Sequence, residues 1–360
     1  MLIATDAALR RQIEVWRKHP WLALDTEFVR EDTYYPKLAL VQVCDGQTAV
    51  CIDAVTVADL EPLRELLDAP DLIKALHSPD QDLEIMVHRW GRCTTPLFDT
   101  QLAATLLGIA DQPSYAALVA SLLGVTIDKS LTRTPWLRRP LRAAELAYAA
   151  ADVEHLAKIY PMLETRLRDV GRLAWLQEDC ARMADPARYR PHPESEWRRL
   201  KGLARLPVPA QHVAARLAAW REVMAGQLDR PRKWILSDDA LYVLATRSPT
   251  TAQQLANLAV LSREQMDRHA DALLLCVREG LAVEAPALMT DLREAPAVHA
   301  RHQRLQQVLR QCATAAGLPP GLIAPRADLE AIARQGERAD VPVFSGWRRT
   351  VAGEALLAIC

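Results

Sequence analysis

Apolar residues along this chain run in two rhythms, and the change from one to the other divides it. Residues 21–29, WLALDTEFV, form an apolar run with polar interruptions that predicts a buried strand. LALVQVC at 38–44 and TAVCID at 48–53 follow, joined across Asp45-Gly46, a pair that tolerates the positive φ of a tight turn. Together they predict a hairpin. Residues 58–68 carry apolar positions at helical spacing, and LIKALH at 72–77 predicts another strand. SPDQDLEIMVHRWG then opens with a Ser that can cap, a Pro just inside and acids in the first turn, and Gly91 closes the helix so predicted. Helical spacing takes over at 100–107, 114–123 and from about 142 to 170. Early strands, a crossover and then helices predict a mixed α/β domain ending near residues 170–185.

The stretch DPARYRPHPESEW at 185–197 holds three prolines and reads as a linker. Beyond it no strand pattern is visible. Residues 211–228, 238–246, 250–258, 262–279, 300–316 and 326–335 read as helices broken by Pro or Gly, so the second half is expected to be all-α. Two helical blocks, about 205–289 and 296–360, suggest a repeated module.

Composition narrows the class. Half of the 360 residues are hydrophobic and a quarter charged, as in a globular chain of two or three domains. No apolar run reaches the ~18 residues of a membrane span, and Asp6, Arg10 and Arg11 interrupt the N-terminal segment where a secretory signal needs an apolar stretch. Seven dispersed cysteines without a C-x-x-C pair suggest reduced thiols, each expected as a small buried hydrophobe. The net charge of −1 conceals an asymmetry: residues 1–190 sum to −5, residues 191–360 to +4. Nine basic side chains fall within 197–233. This suggests a cation-binding site in the first half and a polyanion-binding surface in the second, although a solvated helix face would show the same bias.

Within the first half, Asp25 and Glu27 lie two apart on a predicted strand and so share a face. Paired carboxylates repel one another, and a divalent cation relieves that repulsion. Tyr148 and Asp152, four apart in a predicted helix, share a face left uncrowded by Ala149, Ala150 and Ala151. Asp82 stands one turn into the helix after Ser78, where an acid also complements the helix dipole. Asp99 before Thr100 reads as a helix cap. Each of these has an ordinary structural explanation when taken alone.

Their order does not. LDTEFVR, HSPDQDLE and YAAAD resemble the three motifs of the DEDD superfamily of 3′-5′ exonucleases, and TYYPKLALVQV (33–43), LFDTQLAA (97–104) and IDKSLTRTPWLRRPL (127–141) are similar to the segments between them in ribonuclease D. The resemblance covers nearly all of residues 20–165. LAAWREVMAGQLDRPRKWILSDDALYVLATRSPTTAQQL (217–255) is similar to the HRDC module shared with RecQ-type helicases, and the block holding SGWRR (345–349) resembles a degenerate second one. Gln81 and Pro135 depart from the family pattern, which has acids there.

The resemblance implies a ribonuclease H-like mixed-sheet exonuclease domain at 1–190, a first HRDC helical domain at 200–289 and a second, degenerate one at 290–360. It implies a 3′-5′ exoribonuclease releasing nucleoside 5′-monophosphates with two divalent ions, Mg²⁺ or Mn²⁺. Asp25, Glu27, Asp82 and Asp152 would be the ligands and Tyr148 would orient the attacking water. Ala147 stands where the histidine branch of the superfamily has its His, which points to the tyrosine branch; His155 is expected as a half-buried helix residue. Phe28, Arg30, Tyr34, Tyr35, Lys129 and Arg133 are candidate substrate contacts, with core packing the competing role for the aromatics. The implied partner is RNA, above all tRNA precursors with 3′ extensions, met by a monomer in the cytoplasm. A DNA 3′-5′ exonuclease and a non-catalytic nucleic-acid-binding protein are the rival readings. A helicase is excluded, since the chain has no G-x-x-x-x-G-K-[ST] phosphate loop.

Overall fold

The computed structural model describes residues 1–128, 131, 134–289 and 295–360. These fall into two compact units. The first comprises Met1–Val29, Lys37–Tyr189 and Ala297–Cys360, the second Arg30–Pro36 and Arg190–Pro296.

The first unit opens with β1 (Leu2–Ile3) and α1 (Asp6–Trp16). It continues through β2 (Trp21–Val29), β3 (Lys37–Cys44), β4 (Ala49–Asp53), α2 (Glu61–Leu67), β5 (Ile73–Leu76), α3 (Asp80–Trp90) and β6 (Leu97–Asp99). Four helices follow: α4 (Thr100–Leu106), α5 (Tyr115–Leu123), α6 (Ala143–Asp169) and α7 (Leu173–Met183). The strands form one mixed sheet in the order β1-β4-β3-β2-β5-β6. β3 is antiparallel to both β2 and β4, and the other neighbours are parallel. The expected hairpin is β3–β4, with Gly46 at φ +92° in its turn, where a side chain would be strained.

Alternation along β2 sorts its side chains to two layers. Leu22 and Leu24 enter the main core with Leu9, Leu63 and Leu83 from α1, α2 and α3, while Ala23 packs against Val153 and Leu156 of α6. Asp25 and Glu27 continue the Ala23 side. At Glu27/Phe28 the register with β3 slips, a bulge at the point where the acids stand.

Three details differ from the sequence pattern. β1 and β6, two and three residues long, are too short to show a period. α1 buries Leu9, Ile13 and Trp16 at helical spacing that the reading of the N-terminus as a non-signal passed over. Ser78 does not cap α3: it adopts φ +53°, its N–H donates to Asp99 Oδ1 at 2.9 Å, and the helix starts after Pro79 without a side-chain cap. Asp99 caps α4 as expected, accepting from the Gln101 N–H at 2.9 Å.

The second unit is helical, with α8 (Val208–Leu228), α9 (Arg232–Ile235), α10 (Asp238–Arg247), α11 (Ala252–Asn257) and α12 (Arg263–Leu281). Ser237, Thr251 and Ser262 cap α10, α11 and α12, the last in a capping box with Gln265. The core gathers Val213, Leu217, Leu241, Leu244, Leu273 and Val277. Gly280 lets α12 approach α8, because a Cβ there would lie 2.5 Å from the Val213 Cα.

The block expected as a third domain at 290–360 is not a compact unit of its own. From α13 (Pro296–Ala316) through α14 (Pro320–Ile323), α15 (Arg326–Gln335) and α16 (Gly346–Arg348), residues 297–360 belong to the first unit. Leu305, Leu309, Ile332, Val343, Trp347 and Leu356 share one core with Leu106, Leu176 and Cys180. α13 and α15 each bury one apolar stripe, Leu305 and Leu309 on the first and Leu329 and Ile332 on the second, in that core. All seven cysteines are free thiols; five are buried as expected, while Cys312 is half-buried and Cys360 exposed. No helix among the described residues is long and apolar enough to cross a membrane.

Candidate active site

Strand β2 and helices α3 and α6 bring four acids together in the first unit. Asp25 and Glu27 project from the α6-facing side of β2 just before the bulge. Asp82 is buried in the first turn of α3, and its Oδ1 accepts from Thr26 Oγ1 at 2.5 Å. Thr26 is thus the residue that ties the two acids of β2 to α3; the sequence offered no sign of this beyond its place between them. Asp152 comes from α6, whose Ala149 is fully buried against the sheet side chains Leu40 and Cys51.

Electrostatics show that these acids feel one another. The Asp25 carboxyl is pushed well above the usual range, first by burial and then by repulsion from Asp82, Asp152 and Glu27. Burial, with repulsion from Asp152 and Asp82, raises Glu27 to about 8. Burial raises Asp82 to about 6 against the opposing Thr26 hydrogen bond, and raises Asp152 to about 6. Four carboxyl groups reluctant to ionise together form a site that favours a bound cation. Their oxygen donors suit hard divalent ions. Among the described residues no three His, Cys, Asp or Glu side chains already form a closed cage around one point. The arrangement is a row of acids rather than a preformed structural metal centre.

A cavity of about 320 Å³ opens beside this row, lined by Asp25, Asp152, Tyr148, His77, Tyr115 and Ile127 among others. Tyr148 and Asp152 also line a second hollow of about 420 Å³ with Asp128, Leu131 and His155. Tyr148 therefore lies where both openings meet the acids. Its ring is backed by Trp136 at a centroid distance of 6.4 Å and an interplanar angle of 29°. The Trp136 segment is itself clamped: Arg139 makes a two-pronged contact with Asp53 at 2.7 Å per prong, and Arg138 reaches the buried Glu145 at 2.6 Å.

Two cavity residues escaped the sequence reading. His77 is held neutral, since burial lowers it to about 4, and its ring nitrogens lie 3.0 Å from Thr100 Oγ1 and 3.1 Å from the Pro113 carbonyl. It is a wall, not a ligand. The Tyr115 hydroxyl donates to the Asp152 carbonyl and so fixes α5 against α6. Tyr115 lies outside the quoted motifs, and His77 heads HSPDQDLE without any sign in the sequence that it faces a cavity. His155 is half-buried as expected, with Nδ1 2.7 Å from the Ala151 carbonyl.

The candidate substrate contacts fare unevenly. Phe28 is half-buried at the bulge. Tyr34 takes the core-packing role: it is 5% exposed in the second unit with Ala225 and Ile235, and its hydroxyl donates to Glu222. The Arg232 guanidinium sits 4.8 Å from its ring centre. Tyr35 is half-buried, edge-on to Tyr34, with its N–H donating to Asp229 at 3.0 Å. Arg30 donates from Nε to the Tyr34 carbonyl at 2.8 Å and lines a hollow with Lys233 and Trp234. Lys129 and Arg133 lie outside the described residues.

Residues 1–168 match the 3′-5′ exonuclease family and residues 210–277 the HRDC domain family. Over 371 residues, spanning 100% of this chain and 92% of the relative, the sequence is 38% identical to ribonuclease D of Gluconacetobacter diazotrophicus. It is 37% identical over 363 residues to ribonuclease D of Pseudomonas paraeruginosa, covering 99% of this chain and 96% of that one. The chain superposes on the crystal structure of Escherichia coli RNase D, an exoribonuclease involved in structured RNA processing, with a TM-score of 0.89 at 30% identity, covering 100% and 98% of the two chains.

Proposed function

Because the chain belongs to the ribonuclease D family of 3′-5′ exoribonucleases, we propose that Asp25, Glu27, Asp82 and Asp152 hold two divalent ions and that Tyr148 orients the attacking water. The observation that carries this is the gathering of four acids whose carboxyls are all raised above their ordinary range beside a cavity that Tyr148 enters. Asp25, repelled by the other three, would be the acid most relieved by bound ions, with Glu27 and Asp152 holding them beside it. Asp82, with one oxygen engaged by Thr26, would offer its other oxygen. Such ions, when bound, supply a nucleophile at neutral pH and neutralise the leaving 3′-oxygen. Tyr148, one helical turn before Asp152 and stacked on Trp136, lines the same cavity, which supports a reading of the chain as one of the tyrosine branch. The block at 297–360 is, on this reading, the degenerate second HRDC module, merged with the exonuclease.

The acids give a pH signature. Their folded pKa values stand above the unfolded ones, so their protonated forms stabilise the fold at low pH. That contribution fades as pH rises from about 4.5 to about 8, the window set by Glu27. Divalent ions favour the ionised forms and act against the loss. Mg²⁺ or Mn²⁺ should therefore raise the melting temperature markedly at pH 8 and little at pH 5, relative to EDTA. Equal increments at both pH values would argue against ions at these carboxylates.

For the substrate we propose tRNA precursors with 3′ extensions, processed in the cytoplasm by a monomer. The similarity to an exoribonuclease involved in structured RNA processing supports this reading, as does the HRDC-like unit on a chain whose second half is basic. A time course on a 3′-extended tRNA precursor, beside matched RNA and DNA overhangs, tests it. Trimming that halts at the mature end and prefers RNA is expected. Digestion through the acceptor stem, or equal rates on DNA, would overturn it.

A further inference from the structure

The second unit carries one aromatic side chain that its core does not use. Trp234 on α9 is 59% exposed and belongs to none of the apolar clusters. It forms the ridge between two hollows. One, of about 450 Å³, is lined by Arg230, Gln265, Arg268 and His269 among others; the other, of about 410 Å³, by Arg30, Thr33 and Lys233. The Arg230 guanidinium lies 5.8 Å from the Trp234 ring centre.

We propose that Trp234 is a base-stacking platform for single-stranded RNA, with Arg230, Lys233 and Arg268 receiving its phosphates. This rests on the reading of the chain as an exoribonuclease and names where its second unit meets the strand. An exposed indole offers a π-face to any base, and cations on both sides of it track a backbone. Each cation has an acid nearby: Arg230 lies 3.9 Å from Asp32, Lys233 3.7 Å from Asp238 and Arg268 3.1 Å from Glu264. These pairs are exposed on both sides and worth little, so a phosphate can displace them. Arg232 is the contrast. It is tied to the buried Glu222 and packs over Tyr34, and it serves the fold.

Full-length protein in EDTA, where hydrolysis is blocked, is titrated against a labelled RNA hairpin with a single-stranded 3′ extension and against the same hairpin blunt-ended. Trp234→Ala should weaken binding of the extended hairpin about tenfold, and Trp234→Phe should stay within about threefold of the parent, because a phenyl face still stacks. The Lys233→Ala/Arg268→Ala pair should flatten the dependence of affinity on salt. Unchanged affinity in Trp234→Ala, or an equal loss on the blunt hairpin, would overturn the platform. So would a change in sedimentation of Trp234→Ala without RNA, which would assign the patch to self-association. Hydrolysis by the parent protein in Mg²⁺ is scored separately. If the parent binds but does not cleave, the nuclease reading fails and the binding site stands.

Discussion

Replacing Asp25 with asparagine should reduce metal-dependent hydrolysis on the order of 10³-fold or more, the scale of losing roughly 4 kcal/mol of transition-state stabilisation. RNA affinity measured in EDTA should stay within about twofold. The substitution is nearly isosteric, and β2 lies inside the sheet between β3 and β5, so the backbone has no reason to move. What changes is charge at the point where three other acids converge. The same removal relieves repulsion, so the metal-free Asp25→Asn protein should melt higher than the parent at pH 8, and Mg²⁺ should no longer raise its melting temperature to the parent's extent. Gain in stability together with loss of activity distinguishes a ligand from a core residue, whose loss would lower both. Undiminished hydrolysis would refute the assignment of the site.

The second large effect concerns the far end of the chain. Trp347 is 5% exposed and stacks on Trp175 of α7 at 4.8 Å with an interplanar angle of 7°. Its indole N–H donates to Asp179 at 3.3 Å, its backbone N–H to Glu178 at 3.1 Å, and Arg348 pairs with Asp179. Trp347→Ala should cost about 3–5 kcal/mol, a lowering of the melting temperature on the order of 10 °C. Near-neutral behaviour of Trp234→Ala, an equally large truncation at the surface, is the control. Deleting 297–360 should be worse, since it strips Leu305, Leu309, Val343 and Leu356 from the core that also holds Leu22 and Leu24 of the strand bearing the acids. A deletion protein with an unshifted melting temperature and full activity would show that the C-terminal block is a passenger.

These two cases mark what could be read from the residues and what could not. The strand WLALDTEFV, the Asp-Gly hairpin and the helix carrying Tyr148 and Asp152 were legible because period and turn chemistry are local. The acids were legible because their motifs follow one another in order. Thr26 bonded to Asp82, Tyr115 bonded to Asp152 and His77 in the cavity wall arise from contacts between elements distant in the chain, and no spacing announces them. The burial of Tyr34 is hidden for the same reason. A tyrosine shortly after the motif strand reads as a substrate contact until Glu222 and Arg232, nearly two hundred residues away, enclose it. That residues 297–360 join the core of the first unit is not visible in the sequence, because an amphipathic stripe says that a helix needs a partner and not which one.

The split of the first unit along the sequence bears on how the enzyme is made. The exonuclease unit is interrupted in sequence, with its closing pieces encoded after the whole second unit. A nascent chain that has already produced all four acids, and even the complete HRDC-like helices, still lacks Leu305, Val343 and Trp347. Domains of most proteins settle in order as synthesis proceeds. Here the core of the first unit can close only after residues 297–360, which follow the whole second unit in sequence, have been made.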